Sequence, residues 1–297
     1  MNIIRQNFAV KKQKLFSKLA PKASDNTINS QLNPHFKQTS YSTLHKLTQT
    51  KVGNQIINYV KLGNGPKTIL CFPGALGTIW SDFKPQIEGL DKNHFTVVAW
   101  DPPGYGSSRP PNRKFDQWFY DRDADCAHDF MKSIGIAKYS LLGWSDGGIS
   151  SLILTAKYST VEKLVVWGAN SFITSDDIAL YEKIRDLSKW SAKMKEPLIK
   201  HYTEKGLTVM WNEWCDTMVK IYEDGGNICN THLKDITCPT LILHGDKDPL
   251  VPQGHPLHLH ENIRGSKLHR YPQGKHNIHL KYAEDFNKIV SEFLLDK

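Results

Sequence analysis

Short and nearly unbroken apolar runs recur along this chain from about residue 51, separated by stretches with helical spacing. Residues 56–60 predict a first strand, 68–72 a second that stops at Pro73-Gly74, and 95–100 a third. The third runs into Asp101-Pro102-Pro103-Gly104-Tyr105-Gly106-Ser107-Ser108, too rich in Pro and Gly for anything but loop. Residues 139–142, 163–167, 240–244 and 267–271 supply four more strands. Amphipathic spacing over 121–134, and again at Ile149, Leu152, Ile153 and Ala156, predicts helices between them. Strands that are apolar on both faces need cover on both faces, so the pattern predicts an α/β fold with a mostly parallel sheet under helices. Between Ser171 and Asp235 the alternation stops, and helical patterns carry Trp190, Trp211, Trp214, Met194, Met210 and Met218. The expected organisation is a leader over 1–45, a first core part over 46–171, an inserted helical cap over 172–235 and a second core part over 236–297.

Composition narrows the classes. The chain has 297 residues, enough for one large domain with an insertion and a sizeable core. Its net charge of +8 would suggest an acidic partner if it were spread over the fold. Instead, residues 1–50 hold eight Lys or Arg against a single acid, Asp25, and the remainder carries only +1. That balance argues against a nucleic-acid surface. The leader places Arg5, Lys11, Lys12, Lys14, Lys18 and Lys22 among Ser, Thr, Asn and Gln, without the apolar segment of a secretory signal. It reads as a mitochondrial transit peptide, with a matrix location expected, the alternative being an ordinary basic tail on a cytoplasmic protein. No run of about 18 apolar residues occurs, so no membrane span is expected. The five cysteines are odd in number and show no C-x-x-C spacing, which reads as reduced thiols.

The chemistry concentrates at Gly143-Trp144-Ser145-Asp146-Gly147, a G-x-S-x-G stretch between a predicted strand and a predicted helix. In such a turn the serine hydroxyl stands above the sheet edge, and small residues let the backbone double back. Ser145 is the candidate nucleophile. A serine hydroxyl is weak near neutral pH and needs a base and a group to orient that base. Two loops after strands offer them: Asp248 or Asp246 in His244-Gly245-Asp246-Lys247-Asp248, and His276 or His279 in the segment from Gly274. Asp248, a few residues beyond the strand end, and His276, in the glycine-flanked loop, are the preferred pair. The oxyanion is expected to rest on the backbone N–H of Asp146 and that of Ala75 or Leu76. His255, His258 and His260 read as a solvated helix face rather than a zinc site, and neither metal nor cofactor is expected.

With these residues in view, the chain resembles the biphenyl hydrolase-like family, the valacyclovir hydrolases, over roughly residues 51–295. The resemblance is carried by 95–111 (FTVVAWDPPGYGSSRPP), 140–149 (SLLGWSDGGI), 167–170 (WGAN), 184–191 (IRDLSKWS), 244–252 (HGDKDPLVP) and 274–280 (GKHNIHL). It implies an α/β-hydrolase fold and a mitochondrial serine hydrolase of α-amino-acid esters. It also implies a Ser145, Asp248 and His276 triad, with Asp146 binding the substrate's ammonium. The implied partner is a small ester bearing an α-amino group, acted on by a monomer. Pro103 stands where the family more often has Arg, and 196–227 match poorly, which leaves the leaving-group preference open. A carbon–carbon bond hydrolase of ring-cleavage products, a general carboxylesterase and a non-catalytic ligand-binding protein share the fold. Ser at position 145 sets the chain apart from epoxide hydrolases and dehalogenases, whose relatives place Asp there.

Overall fold

The computed structural model describes residues 46–296, and the leader assigned to 1–45 lies outside them. Within them, the strands β1 (Thr48–Val52), β2 (Gln55–Leu62), β3 (Lys67–Phe72), β4 (Phe95–Asp101), β5 (Tyr139–Trp144), β6 (Val161–Trp167), β7 (Thr240–Gly245) and β8 (Lys267–Tyr271) form one sheet. Its order is β1-β2-β4-β3-β5-β6-β7-β8. The pairs β1–β2 and β2–β4 are antiparallel, and every other pair is parallel. The helices are α1 (Ile79–Asp82), α2 (Lys84–Gly89), α3 (Phe119–Ser133), α4 (Asp146–Lys157), α5 (Ser175–Ile184), α6 (Ala192–Glu223), α7 (Gly254–Asn262), α8 (Ile278–Lys281) and α9 (Ala283–Leu295).

The apolar runs go where their pattern demands. Every residue of β4 and of β7 is buried. Leu70, Val98, Leu141 and Val166 join Phe130, Leu152 and Leu259 from α3, α4 and α7 in one core. Ile69, Val97, Leu142 and Val165 face Phe83, Ile87, Phe286 and Val290 from α1–α2 and α9 in a second. Two cores separated by a sheet are what continuous apolar strands require.

The first element differs from expectation. A strand over 56–60 extends to Gln55–Leu62, but β1 precedes it and pairs with it across the turn at Gly53-Asn54. Its sequence, Thr-Gln-Thr-Lys-Val, is mostly exposed and has a single strand partner. An edge strand with so little buried surface leaves almost no hydrophobic signal.

Between β6 and β7 stand α5 and α6, with short 3₁₀ turns at Leu187–Lys189 and Asn230–Asp235. The path of α6 is broken at Thr203, where φ is 60° and ψ 163°. Just before the break, the Tyr202 hydroxyl accepts a 2.8 Å hydrogen bond from the Gly106 N–H, in the loop after β4. Farther along, the Trp211 and Trp214 rings stack at 4.8 Å, and Tyr181 of α5 meets Trp214 edge-on at 5.1 Å.

Candidate active site

Ser145 sits between the last residue of β5 and the first of α4, with φ 55° and ψ −123°. This left-handed geometry is costly for a residue with a Cβ, about 1–3 kcal/mol, and persists only where its surroundings over-determine it. They do so here. The Ser145 N–H donates to the Trp167 carbonyl at 3.0 Å, and its carbonyl accepts from the Ile149 N–H at 3.0 Å. The glycines are needed for room: a Cβ on Gly147 would lie 2.2 Å from the Phe72 carbonyl oxygen, and one on Gly143 2.5 Å from Ser151 Oγ. β3 and β5 are neighbours from which the chain leaves in opposite directions across the sheet, so their carboxyl ends frame the crevice where α/β sheets bind ligands.

Three residues far apart in sequence converge there. His276 Nε2 lies 3.1 Å from Ser145 Oγ, and His276 Nδ1 lies 2.8 Å from Asp248 Oδ2. The carboxylate sets the tautomer: an Nδ1–H donated to Asp248 leaves the Nε2 lone pair facing the serine hydroxyl. Asp248 Oδ1 accepts from the N–H groups of Leu250 (2.8 Å) and Val251 (3.1 Å). Burial pushes the Asp248 carboxyl up, but the His276 ring and these hydrogen bonds outweigh it and hold the group below the usual carboxylate range. The two competitors lie elsewhere. Asp246 pairs with Arg270 at 2.7 Å. His279 is buried in the second core and accepts from Trp167 Nε1 at 2.9 Å, with burial lowering its pKa to about 3.

The turn after β3 differs at the two donors left open beside the serine. The Gly74 N–H is taken by the Asp82 carboxylate, and the Gly77 N–H closes onto the Gly74 carbonyl. The Leu76 N–H lies against the Tyr105 hydroxyl without forming a well-shaped hydrogen bond. The Ala75 and Asp146 N–H groups have no acceptor among the described residues. They are the pair that matches the expected oxyanion site.

The Asp146 carboxylate does not serve as a helix cap. It accepts from the Tyr120 hydroxyl at 2.9 Å and from Trp214 Nε1 of α6 at 2.8 Å. Burial raises its pKa to about 6, against the opposing pull of those two bonds. Sequence reasoning placed Trp214 in the cap without a role and did not single out Tyr120. Trp214 reaches Asp146 through the docking of α6 across the elbow and Tyr120 through the packing of the first turn of α3, and no local spacing records either event.

The expectation of a solvated histidine face is corrected at His255 alone, since His258 is partly exposed and His260 exposed. His255 is buried, and its Nε2 meets both oxygens of buried Asp177 at 2.9 and 3.0 Å, tying α7 to α5. His258 turns to Asn230, and His260 to Ser266. Three histidines with three separate partners do not converge on one point.

A doubly covered, mostly parallel sheet with a serine on a strand-to-helix elbow, within reach of a histidine and an aspartate, defines the α/β-hydrolase class. A family model described as the α/β-hydrolase fold matches residues 67–182. The chain is 46% identical over 257 residues to mouse serine hydrolase BPHL, covering 86% of this chain and 88% of that protein. It is 48% identical over 240 residues to human serine hydrolase BPHL, covering 80% and 82%. The 2-hydroxy-6-oxo-6-phenylhexa-2,4-dienoate hydrolase from Rhodococcus sp. strain RHA1 shares the fold at a TM-score of 0.71 and 18% identity, over 84% of this chain and 98% of that one. The chain belongs to the biphenyl hydrolase-like family of serine hydrolases, within the α/β-hydrolase fold.

Proposed function

We propose that this serine hydrolase cleaves esters of α-amino acids by way of an acyl-enzyme on Ser145. One observation carries the choice of substrate: the buried Asp146 carboxylate, one residue beyond the serine, is held by two neutral donors and by no cation in hydrogen-bonding contact among the described residues. A carboxylate offers about four acceptor positions, so roughly half remain open. The buried Arg113 guanidinium is paired with Asp123 and acts on Asp146 only at a distance, so a ligand that brings a cation into direct contact is favoured. With an ester carbonyl oxygen at the Ala75 and Asp146 N–H groups, an ammonium on the adjacent carbon comes within reach of that carboxylate.

The steps follow from the geometry. Ser145 Oγ attacks the ester carbonyl while its proton passes to His276 Nε2, and Asp248 stabilises the resulting imidazolium. The oxyanion accepts from the two backbone N–H groups. As the tetrahedral carbon collapses, His276 returns the proton to the leaving alkoxide and the alcohol departs. Water then attacks the acyl-enzyme with His276 as base, and the second collapse frees the amino acid and restores Ser145. A site assembled within one chain supports action as a monomer, which sedimentation at working concentration tests. The basic leader supports a mitochondrial matrix address. Imaging of the full chain beside one lacking residues 1–40 tests it, and an unchanged location overturns it.

The substrate reading is tested with matched esters of an amino acid, its N-acetyl derivative and its des-amino analogue. In wild type the free amine is strongly preferred. Asp146→Asn keeps the shape and the backbone N–H and removes the charge. It should lose about a hundredfold or more in kcat/KM on the amino ester, with little change on the des-amino ester. Equal losses on all three esters return Asp146 to a structural role.

A further inference from the structure

A second buried carboxylate, unused in the scheme above, lies against the turn that follows β3. Asp82 is the last residue of α1 and is 5% exposed. What it meets is the turn. Asp82 Oδ2 accepts the Gly74 N–H at 2.9 Å, and Oδ1 accepts the Ser81 hydroxyl at 2.6 Å. The fit is close enough that a Cβ on Gly77 would lie 1.9 Å from Oδ2. Leu76 within the turn has φ 58°, a conformation a leucine holds only under constraint. With the Gly74 and Gly77 N–H groups bonded and the Leu76 N–H turned against the Tyr105 hydroxyl, Ala75 is the residue of the turn whose N–H is left clear for a ligand.

We propose that Asp82 is the positioning residue of this turn, its ionised carboxylate clamping the Gly74 N–H so that the adjoining Ala75 N–H is aimed at the substrate's carbonyl oxygen. The proposal rests on the reading of Ala75 as an oxyanion donor. Its consequence is a second proton-sensitive group in the reaction, distinct from the histidine. A charged acceptor holds an N–H about twice as strongly as a neutral one, so protonating Asp82 slackens the turn.

The groups around Asp82 place that proton in the working range. Burial pushes its pKa up to about 7, against the hydrogen bonds from Ser81 and Gly74. Asp101, at the end of β4, adds like charge, and the His276 ring, from the loop after β8, pulls the other way. Asp101 is itself raised to about 6 by burial while accepting the N–H groups of Ile79 and Ser107. From α8, His279 lies against the Asp82 backbone carbonyl and is kept neutral by burial, so it brings no charge.

The test measures kcat and KM against pH for an activated ester without an amine, so that amine recognition plays no part. Wild-type kcat/KM should fall on the acid side more steeply than one proton allows. Asp82→Asn should lose roughly ten- to a hundredfold in kcat with KM within about twofold, because an oxyanion donor acts in the transition state. Its acid limb should relax to a single proton. Ser81→Ala, which removes one hydrogen bond and keeps the charge, should move the second inflection to higher pH. Wild-type kcat and an unchanged limb in Asp82→Asn overturn the proposal, even where its melting temperature shifts. Should that variant fail to fold, an unmoved limb in Ser81→Ala overturns it equally. A failure of the underlying reading is distinguishable, since it leaves kcat unchanged when the Ala75 amide N–H is replaced by an ester oxygen.

Discussion

In the proposed reaction Asp146 presents two chemical groups from one residue: its N–H serves the developing oxyanion, and its carboxylate serves the ammonium beside it. The carboxylate must be charged to select an amine, and burial raises its pKa to about 6. The substrate's amine must also be charged, and α-amino groups lose their proton near pH 7.7–8.0 or about there. Preference for an amino ester over its des-amino analogue should therefore collapse below about pH 6 as the acid is protonated, and fade above about pH 8 as the amine is neutralised. The ratio of the two kcat/KM values against pH checks both edges. At the orienting acid, Asp248→Asn should cost about 10⁴-fold in kcat, because the imidazole would then be held in the wrong tautomer. Asp246→Asn, which breaks only a half-exposed pair with Arg270, should stay near wild type. The reverse outcome would exchange their roles. Ser145, His276 and Asp248 were legible because each occupies a loop immediately after an apolar run, which any strand-borne site must use. The proposed preference for Ala75 over Leu76 was not, since it turns on the Tyr105 hydroxyl that the fold sets against the Leu76 N–H.

At the scale of elements, the elbow explains why so short a motif carries so much. β5, α4 and β3 approach one another through Gly147, where an added Cβ would meet backbone oxygens of Phe72 and Pro73 at 2.2 and 2.4 Å. Backbone cannot swing aside as a flexible side chain can. Gly147→Ala should therefore destabilise by about 2–3 kcal/mol and reduce turnover in whatever folds, as read by denaturant unfolding and by kcat. A stable and fully active variant would show that the turn has slack. The central strands were readable from sequence because two cores press on them. β1 was not, being held by backbone pairing rather than by burial. The break in α6 at Thr203 was equally hidden. Pro197 is the visible helix breaker, yet the path departs six residues later, next to the Tyr202 contact with the Gly106 N–H. A contact made between distant segments has no signature within either one.

Across the whole of residues 46–296, the site is assembled from both sides of the cap insertion. The bond from Trp214 to Asp146 spans 68 positions of sequence and joins α6 to the nucleophile elbow. Under the proposed function, the seating of this segment of α6 and the occupancy of the carboxylate would be linked, and linkage is reciprocal: whatever a bound amine adds to the hold on α6, the seated helix adds to the hold on the amine. In the proposed reaction the amino-acid product would then act as a clasp on its own exit. Added to the enzyme, it should slow backbone hydrogen exchange in the Trp214 segment of α6, whereas its des-amino counterpart should not. Trp214→Phe should diminish that protection and the affinity for the amine by the same factor. Esters of one amino acid with different alcohols should converge on a common kcat, paced by the release of what they share.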